Sequence, residues 1–576
     1  MKKLSIIKKM TNAITVIGCC LLVIGMGACS DMLETKSELV EFEKDNTLNH
    51  PTDSVYSVLG IVNRMQLIAD RLVLLGEARG DLVTPTAGAS SDLKRLAAFD
   101  LKQSNKYNRV SDFYAVINNC NYYLAHVDTA LQRRGRKLFE YEYAAVKAYR
   151  AWTYLELVKN YGRVPLVTEP LMTELEAAAA ATAAPQGIQD ICNFFIADLT
   201  PYAFTEQPNF GAVNGYDSQL FFIPMRALLG DLCLWAGRYE EAARWYNSYL
   251  NDKEHPVMMN YASRVSWPSA TVFQRPVDGY SVRSRGGSMG EVRSFIPMEE
   301  RVFDGTVSDL PNIFSSTSQN NYFFQLTPSA AMRRISADQI YCKEYTTETT
   351  TDTIYVPRTG MSDDLFVGDL RLYSNYSLSS LGQQDPYSEY SSLMQSITKH
   401  WPDCVPTYRT TMVYLRYAEA LNRARLPQSA MCLLKYGMCA ENMQAYVDSL
   451  EREQAKELTT FDETLFTHET TVGIHSRGSG DSECNAFYVL PQPDHQLASR
   501  QDTIDYQIPL VEDMIINEMA LEGSFEGYRF YDLMRVALRR GDPSYLATPI
   551  ARRLGETDEA LRTLLMDTSN WFLPLR

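Results

Sequence analysis

Apolar residues recur at helical spacing in separate stretches of the chain, and these stretches come in pairs. The clearest pair is Arg226–Leu250, where the apolar positions follow the helical period on both sides of Gly237. The run Gly237-x-Tyr239-x-x-Ala242 is similar to the turn and second-helix start of a tetratricopeptide unit. In such a unit the glycine permits a tight turn, while the tyrosine and alanine pack between the helices. One unit cannot bury its apolar face alone, so we expect others.

Three further helix pairs fit this pattern at irregular intervals. They are Asp112–His126 with Leu138–Tyr161, Thr410–Ala424 with Gln428–Ala440, and Val511–Gly523 with Tyr528–Arg540. Because the interval between pairs is not constant, the pattern does not indicate a plain solenoid. The sequence predicts a mainly α fold in which four tetratricopeptide-like helix pairs form a scaffold.

The segments between these pairs have a different composition. Residues 251–400 are rich in Ser, Thr, Tyr, Gly and Pro and contain short strand-like runs such as Tyr345–Val356. Residues 468–510 form a second irregular region, and Glu176–Gly187 is an alanine-rich connection that we place on the surface. Long loops on a helical scaffold are a usual way to hold a binding surface rigidly.

The N-terminal residues are typical of a lipoprotein signal. Met1–Asn12 contains four lysines and no acidic residue, Ala13–Ala28 is almost wholly apolar or small, and Cys29 follows directly. A basic start followed by an apolar run of this length indicates a secretory signal rather than a membrane span. Cleavage after Ala28 would make Cys29 the new N-terminus, where its thiol takes diacylglycerol, as in bacterial lipoproteins. The alternative is ordinary secretion with a free Cys29.

Removal of the signal leaves one large mature body, with no linker of the Ser/Gly or Pro-rich kind to divide it. The predicted parts of the chain are a signal peptide at 1–28, a mostly helical scaffold at 29–250 and 405–576, and a loop-rich, minor-β ligand-binding insertion at 251–404.

The net charge and the cysteine content limit the kinds of partner and cofactor that we expect. The chain has 55 basic and 70 acidic residues, and loss of four lysines with the signal leaves 51 against 70, a net charge of −19. An acidic surface repels phosphate backbones and anionic headgroups, which disfavours nucleic acid and peripheral membrane binding. Eight cysteines remain beyond Cys29, and no pair has the C-x-x-C spacing of a zinc or redox site. We expect buried thiols, with one disulfide compatible with an oxidising compartment.

Six sequence blocks, in order along the mature chain, carry a resemblance to the SusD/RagB family of outer-membrane nutrient-binding lipoproteins. They are Gly76–Asp81 (GEARGD), Tyr114–Asn121, Arg150–Leu166, Gly368–Arg371, Tyr417–Arg423, and Glu518–Gly523 followed by Gly527–Arg535. Each block alone is weak, but their order makes chance agreement improbable. We expect the charged residues Glu419, Glu522, Arg529 and Asp532 within them to be structural, because repeat motifs encode packing.

The resemblance implies a lipid-anchored protein of the cell outer membrane, facing the exterior, without cofactor or catalysis. It implies capture of oligosaccharides and their delivery to a SusC-type TonB-dependent β-barrel transporter. One branch of the family instead binds peptides, and that alternative stays open.

Candidate ligand contacts are aromatic residues in irregular segments, because aromatic rings stack on the C–H faces of sugars. We select Trp267, Tyr280, Tyr322 and Trp401, and add Asp81, which the Arg-Gly-Asp turn would present. Asp81 supporting the turn itself is the alternative. The other mature-chain tryptophans lie within helical patterns or the C-terminal ending and are expected in the core. The stretch Leu82–Tyr107 contains no tryptophan, which disfavours starch, since starch binders of the family carry tryptophans there.

A serine hydrolase is the remaining enzymatic alternative. Gly286–Gly290 fits G-x-S-x-G around Ser288, but a nucleophile elbow needs an apolar strand before it and a helix after it. The preceding residues are polar and charged, and Pro297 ends any helix early, so we predict no catalysis there. Among the seven histidines, His475 is the one of interest, and we expect it to bond backbone in a loop.

The lipid anchor gives the first testable prediction. Replacement of Cys29 by Ala removes the thiol that accepts the lipid, so the precursor should incorporate no labelled fatty acid. Metabolic labelling followed by immunoprecipitation measures this, with Cys19→Ala as a matched control inside the signal. Unchanged labelling of the Cys29→Ala protein would contradict the assignment.

Overall fold

Helices carry most of the described chain, and the strands between them are short. The computed structural model describes residues 48–259, 264–266, 277–278, 280, 282, 284–287, 290–299, 305–315, 324–339, 341–356, 368–380, 393–478 and 488–575. Within these residues no helix combines the length and the apolar content needed to cross a bilayer.

The helices are α1 (Pro51–Arg79), α2 (Ser91–Ala97), α3 (Val110–His126), α4 (Glu140–Tyr161), α5 (Glu174–Ala181), α6 (Ile188–Leu199), α7 (Met225–Trp235), α8 (Tyr239–Leu250), α9 (Leu310–Phe314), α10 (Ala330–Ala337), α11 (Arg371–Asn375), α12 (Thr410–Arg423), α13 (Pro427–Lys435), α14 (Ala440–Tyr446), α15 (Ser449–Ala455), α16 (Arg500–Glu522), α17 (Arg529–Arg540), α18 (Ser544–Ala551) and α19 (Glu559–Leu565). Single 3₁₀ turns lie at Thr200–Tyr202, Ser218–Phe221, Ile474–Gly478 and Thr568–Trp571. The predicted mainly α class is confirmed.

All four predicted helix pairs are present and packed: α3 with α4, α7 with α8, α12 with α13, and α16 with α17. In the clearest pair, Gly237 has φ +78°, the left-handed conformation that a glycine adopts without strain. A Cβ on Gly230 would lie 2.4 Å from the Tyr246 ring, so α7 and α8 approach more closely than any other residue would allow. The tetratricopeptide likeness of this packing stays a prediction.

Two helices differ from the sequence prediction. The alanine-rich connection is the helix α5, which begins with a capping box between Thr173 and Glu176. Helix α16 begins at Arg500, well before the predicted Val511, and continues through Pro509. Ser499 caps it by accepting a hydrogen bond from the Asp502 N–H at 3.1 Å.

Within the part of the chain that the structure describes, the strands form eight antiparallel pairs, each of two strands. They are β1 (Val83–Pro85) with β11 (Leu326–Pro328), β2 (Gln132–Arg133) with β3 (Arg136–Lys137), β4 (Arg163–Val164) with β5 (Gln186–Gly187), β6 (Ala212–Val213) with β7 (Tyr216–Asp217), β8 (Val265–Ser266) with β9 (Val277–Asp278), β10 (Val292–Pro297) with β16 (Cys404–Arg409), β12 (Tyr341–Thr346) with β13 (Thr351–Val356), and β14 (Tyr376–Ser380) with β15 (Leu393–Ile397). The strand-like run predicted at 345–356 is therefore part of the β12–β13 hairpin.

Six described cysteines are free and buried, as expected: Cys120, Cys192, Cys233, Cys404, Cys432 and Cys439. Burial raises the pKa of the Cys120 thiol to about 12, which keeps it protonated.

A group of buried charges, which we call the central ion cluster, joins five segments of the chain. Its members, none exposed by more than 1%, are Glu291, Asp369, Arg371, Arg409, Arg477, Glu518 and Glu522. Arg409 Nη1 lies 2.7 Å from both Glu291 and Glu522, and Arg371 Nη1 lies 3.0 Å from Glu522. Burial alone would raise the pKa of Glu522, but the surrounding arginines hold that pKa well below its usual value.

A second group, the α16–α17 ion cluster, holds the last helix pair against α12. Glu419 on α12 accepts hydrogen bonds from Arg535 Nε at 2.9 Å and from Arg539 Nη1 at 2.9 Å. Glu512 on α16 accepts from Arg540 Nε at 2.8 Å and from Arg423 Nε at 2.5 Å. Each carboxylate is completely buried and meets more than one guanidinium, which is the condition under which a buried charge is tolerated.

The two ends of the described chain meet at the C-terminal end of α1. The buried Arg79 donates to the Trp571 carbonyl at 2.8 Å and to Asn160 Oδ1 at 2.6 Å. A Cβ on Gly76 would lie 1.8 Å from the carbonyl oxygen of Gly527, so this crossing requires glycine. Residues near both termini therefore share one core.

The α16–α17 ion cluster gives a stability prediction with a defined pH dependence. Burial alone would raise the pKa of Glu419, but Arg535 and Arg539 lower it to about 2. Its contribution to stability is therefore fully present above pH 4.5 and is lost as the pH falls towards 2. Glu419→Gln should lower the free energy of unfolding at pH 7 by about 3 kcal/mol, because two buried guanidinium groups each lose one of their counter-charges.

Denaturant unfolding followed by circular dichroism at several pH values measures this effect. Glu463→Gln, at an exposed position, is the matched control and should leave stability unchanged. The difference between Glu419→Gln and the wild type should narrow below pH 4.5. A difference that is absent at pH 7, or that is the same at every pH, would count against the ionised cluster.

Candidate functional site

Aromatic and charged side chains meet where the β6–β7 hairpin lies against the segment that leads into β16. We call this the Tyr216–Trp401 surface and define it by Tyr216, Arg285, Glu299, Trp401 and Asp403. The Arg285 guanidinium carbon lies 4.6 Å from the centroid of the Trp401 ring and 4.9 Å from that of Tyr216. Tyr216 donates its hydroxyl proton to Asp403, whose carboxylate lies 3.8 Å from Arg285 Nη2.

Local geometry explains how these side chains come together. The β6–β7 turn is Asn214-Gly215, with φ +50° and +82°, the hairpin turn that Asn-Gly favours. The Met298 N–H donates to the Asp403 carbonyl at 2.8 Å and holds the Trp401 segment beside the end of β10. Trp401 is thereby held in a half-buried position.

The protonation of Tyr216 suits it to hydrogen bonding. Burial, together with the hydrogen bond to Asp403, raises the pKa of the Tyr216 hydroxyl. The hydroxyl therefore stays a donor at neutral pH, and the Asp403 carboxylate accepts it. Asn214 Nδ2 donates to Glu299 Oε2 at 3.0 Å at the rim of the same surface.

An adjoining groove of about 390 Å³, open solvent included, runs between α1 and the β6–β7 hairpin. Leu59, Val62 and Val213 contribute apolar lining, while Asn63 and Gln66 contribute amides. Gln66 Nε2 donates to the Pro297 carbonyl at 2.8 Å, which ties α1 to the end of β10. Apolar walls with a few fixed polar groups suit a neutral polar ligand better than an ion.

The predicted ligand contacts lie in different places. Trp401 belongs to the Tyr216–Trp401 surface, whereas Trp267 and Tyr322 lie outside the described residues, as does the predicted anchor Cys29. Asp81 is 1% exposed, and its two carboxylate oxygens lie 2.7 Å from Arg529 Nε and 3.1 Å from Arg529 Nη2.

Asp81 and Tyr280 were predicted to lie on the binding surface, but both side chains are internal. The charge of Asp81 is matched by Arg529 on α17, so its contacts fit the supporting role rather than ligand binding. Tyr280 is buried and donates its hydroxyl proton to Glu522 Oε1 at 3.0 Å, as part of the surroundings of the central ion cluster.

The structural expectation for the charged motif residues agrees with their surroundings. Glu419, Glu522, Arg529 and Asp532 are all buried, and each is ion-paired. Of the tryptophans expected in the core, Trp152 and Trp571 are buried, and Trp235 and Trp245 are partly buried against it.

The serine motif and His475 also have structural surroundings. Ser288 lies outside the described residues, but the chain after Gly290 enters the strand β10, not the helix that a nucleophile elbow requires. His475 is buried in a 3₁₀ turn, where its Nδ1 lies 2.7 Å from Glu518 Oε2 and its ring stacks on Tyr488. This contact with a carboxylate was not anticipated from the sequence.

Sequence reasoning missed Tyr216, Arg285, Glu299 and Asp403. Only the hairpin had a readable signal, since Asn214-Gly215 between short alternating runs is typical of a two-residue turn. The other residues come from separate segments whose proximity depends on the β10–β16 pairing, which joins residues more than a hundred positions apart.

Several solved structures with this fold are SusD-like proteins of low sequence identity to this chain. A SusD-like carbohydrate binding protein from Bacteroides fragilis matches with TM-score 0.53 and 14% identity, over 86% of this chain and 88% of its own. A SusD superfamily protein from Bacteroides fragilis matches with TM-score 0.54 and 14% identity, over 90% and 95%. Surface glycan-binding protein A from Bacteroides fluxus matches with TM-score 0.52 and 14% identity, over 89% and 92%.

No protein-family profile and no curated protein matches the sequence. The structural likeness covers most of both chains, and at these identities it shows the fold. The SusD-like architecture expected from the sequence blocks is thereby confirmed.

Proposed function

We propose that this chain, which has the SusD-like fold, binds an oligosaccharide on the Tyr216–Trp401 surface without altering it. The observation that carries the proposal is the half-buried Trp401 ring beside the Tyr216–Asp403 hydrogen bond. A fixed aromatic ring covers the apolar face of a sugar, and neighbouring carboxylate, amide and guanidinium groups bind its hydroxyls. The names of two matching structures, a carbohydrate binding protein and a surface glycan-binding protein, support this ligand class.

The electrostatics of the surface also favour a neutral sugar. Arg285 lies between Asp403 and the two aromatic rings, so its charge is already matched and its faces are already covered. A charged ligand would have to displace one of these internal contacts, whereas a hydroxyl can add to them. The groove beside α1 extends this surface with apolar walls and two amide side chains.

We further propose that the protein is a lipid-anchored subunit of an uptake system at the outer membrane. The signal ending at Ala28-Cys29 supports the anchor. Since the predicted mature chain contains no candidate span within its described residues, it cannot carry a ligand across a bilayer alone. A SusC-type TonB-dependent β-barrel transporter is the partner that would complete this role.

Two alternatives to this proposal remain, and the ligand tests below distinguish them from it. A peptide ligand would place the protein in the RagB-like branch while keeping its transport role. Hydrolysis at Ser288 would instead make it an enzyme, and the strand that follows Gly290 argues against this.

The ligand prediction concerns Trp401. Removal of this ring by Trp401→Ala should weaken oligosaccharide binding about tenfold or more, since stacking on one ring contributes about 1–3 kcal/mol in the comparable case of bases. Isothermal titration calorimetry of the soluble mature protein with a panel of oligosaccharides and peptides measures the loss. Phe204→Ala removes an aromatic ring that is 74% exposed elsewhere and should leave affinity unchanged.

Asp81→Ala separates folding from binding in the same experiment. It should lower the melting temperature, because Arg529 loses its counter-charge, and leave sugar affinity unchanged. Binding of peptides alone would favour the peptide branch. Hydrolysis of a panel member that is lost in Ser288→Ala would refute the non-enzymatic proposal.

The partner prediction concerns the intact membrane. Mild detergent extraction followed by affinity purification should recover a large outer-membrane β-barrel protein with this chain. The interface should exceed a standard one of roughly 1,600 Å² if the complex is stable. The Cys29→Ala protein, expressed at the same level, is the control for the contribution of the anchor. Recovery of the chain alone at near-native yield would disprove a stable complex.

A further inference from the structure

Four cations stand together on the β2–β3 hairpin, which connects α3 to α4. We call residues 132–137 the basic hairpin; its cations are Arg133, Arg134, Arg136 and Lys137. All four side chains are exposed, and none forms a hydrogen bond or an ion pair with another described residue. In a chain with a net charge of −15, this hairpin is a local exception, and the proposed sugar site does not use it.

The turn of the basic hairpin carries one of these cations at a conformational cost. Arg134 has φ +54° and Gly135 has φ +78°, so both residues adopt the left-handed conformation. The β6–β7 hairpin has a similar two-residue turn, but its first position is Asn214, a residue that tolerates this conformation well. The arginine is therefore better explained by a contact of its charge outside the fold than by the needs of the turn.

The carboxylates nearest in sequence lie at the base of the basic hairpin rather than at its tip. Asp128 accepts a hydrogen bond from the Ala130 N–H at 2.9 Å. Glu140 and Glu142 lie in the first turn of α4, where a carboxylate complements the helix dipole. In the part of the chain that the structure describes, none of these carboxylates forms an ion pair with a hairpin cation. The positive charge of the tip is thus available to a partner.

The basic hairpin lies beside the place where the N-terminal part of the chain joins the described body. Leu48, the first described residue, pairs with Val127 in a parallel bridge, and β2 begins five positions after Val127. The Leu48 N–H donates to the His126 carbonyl at 3.0 Å, and the Asp128 N–H donates to the Leu48 carbonyl at 3.2 Å. The chain that leads from the predicted anchor Cys29 therefore reaches the body on the side that carries the hairpin.

We propose that the basic hairpin docks on the anionic phosphate headgroups of the membrane that holds the lipid anchor. The inference rests on the proposed anchor, which keeps this side of the body near the leaflet. Guanidinium groups bind phosphate oxygens in paired geometry, and clustered Arg and Lys side chains near a membrane surface attract anionic lipids. The negative charge of the rest of the protein disfavours wider contact, so the hairpin orients the body on the membrane.

Vesicle co-sedimentation of the soluble mature protein, which carries no lipid, tests the hairpin separately from the anchor. At low ionic strength the protein should bind vesicles of phosphatidylcholine and phosphatidylglycerol in equal parts more strongly than vesicles of phosphatidylcholine alone. High salt should abolish the difference, because it screens exposed charges. Arg134→Asn should weaken binding about fivefold, the effect of one cation near an anionic leaflet. Thermal unfolding should not move to a lower temperature, since Asn fits the turn.

A pair of double variants controls for the change in net charge. Arg133→Gln with Arg136→Gln should weaken binding to the anionic vesicles about 25-fold, as two cations are lost. Lys253→Gln with Lys456→Gln removes the same charge from exposed positions on other parts of the chain and should leave binding nearly unchanged.

The proposal is overturned if the protein does not distinguish the two vesicle compositions at low ionic strength, or if the hairpin variants bind as the wild type does. It is also overturned if these variants keep vesicle binding but no longer co-purify with the β-barrel partner, since the hairpin would then contact an acidic protein surface. Fatty-acid labelling of the Cys29→Ala protein decides the anchor on its own, so failure of the anchor and failure of the hairpin are distinguishable.

Discussion

Glu522 is a completely buried carboxylate at the end of α16, and its neutralisation ties together segments from across the chain. Arg371, Arg409 and Arg477 all lie within ion-pair distance of it, and the Lys399 ammonium donates to its carbonyl oxygen at 2.7 Å. An unpaired buried charge is strongly destabilising. Separation of any one of these segments would therefore leave charged groups of the other segments buried without a counter-charge. The loop-rich part of the chain is thereby fixed to the helical part through charge rather than through apolar packing alone.

Most of the sequence blocks that resemble the SusD/RagB family contact one another through buried groups of this kind. Gly76–Asp81 crosses Gly527–Arg535 through the glycine pair and the Asp81–Arg529 ion pair. Gly368–Arg371 meets Glu518–Gly523, and Glu419 meets Arg535. The blocks therefore describe how the scaffold is assembled, while the Tyr216–Trp401 surface lies outside them.

The helix pairs could be predicted from local patterns, because apolar periodicity and a turn glycine such as Gly237 are properties of neighbouring residues. Helix α16 begins before the predicted Val511 and contains Pro509, a residue that normally ends a helix, so local preference alone does not predict its first turns. Asp81 was misplaced for a different reason, since its partner Arg529 stands 448 positions away and leaves no mark on the local sequence. Trp401 was selected because a tryptophan outside any helical pattern has no obvious place in a helical core, and its role in ligand binding stays a prediction.

The contact between Arg79 and Trp571 has a consequence for folding. The acceptor of this buried guanidinium stands 492 residues after its donor in the sequence. Contacts of such sequence separation form slowly, so the end of α1 reaches its final environment only after the segment around Trp571 has packed against it. A chain cut before Trp571 would leave the buried Arg79 without that acceptor, so the order of the first helix depends on residues from a distant part of the sequence.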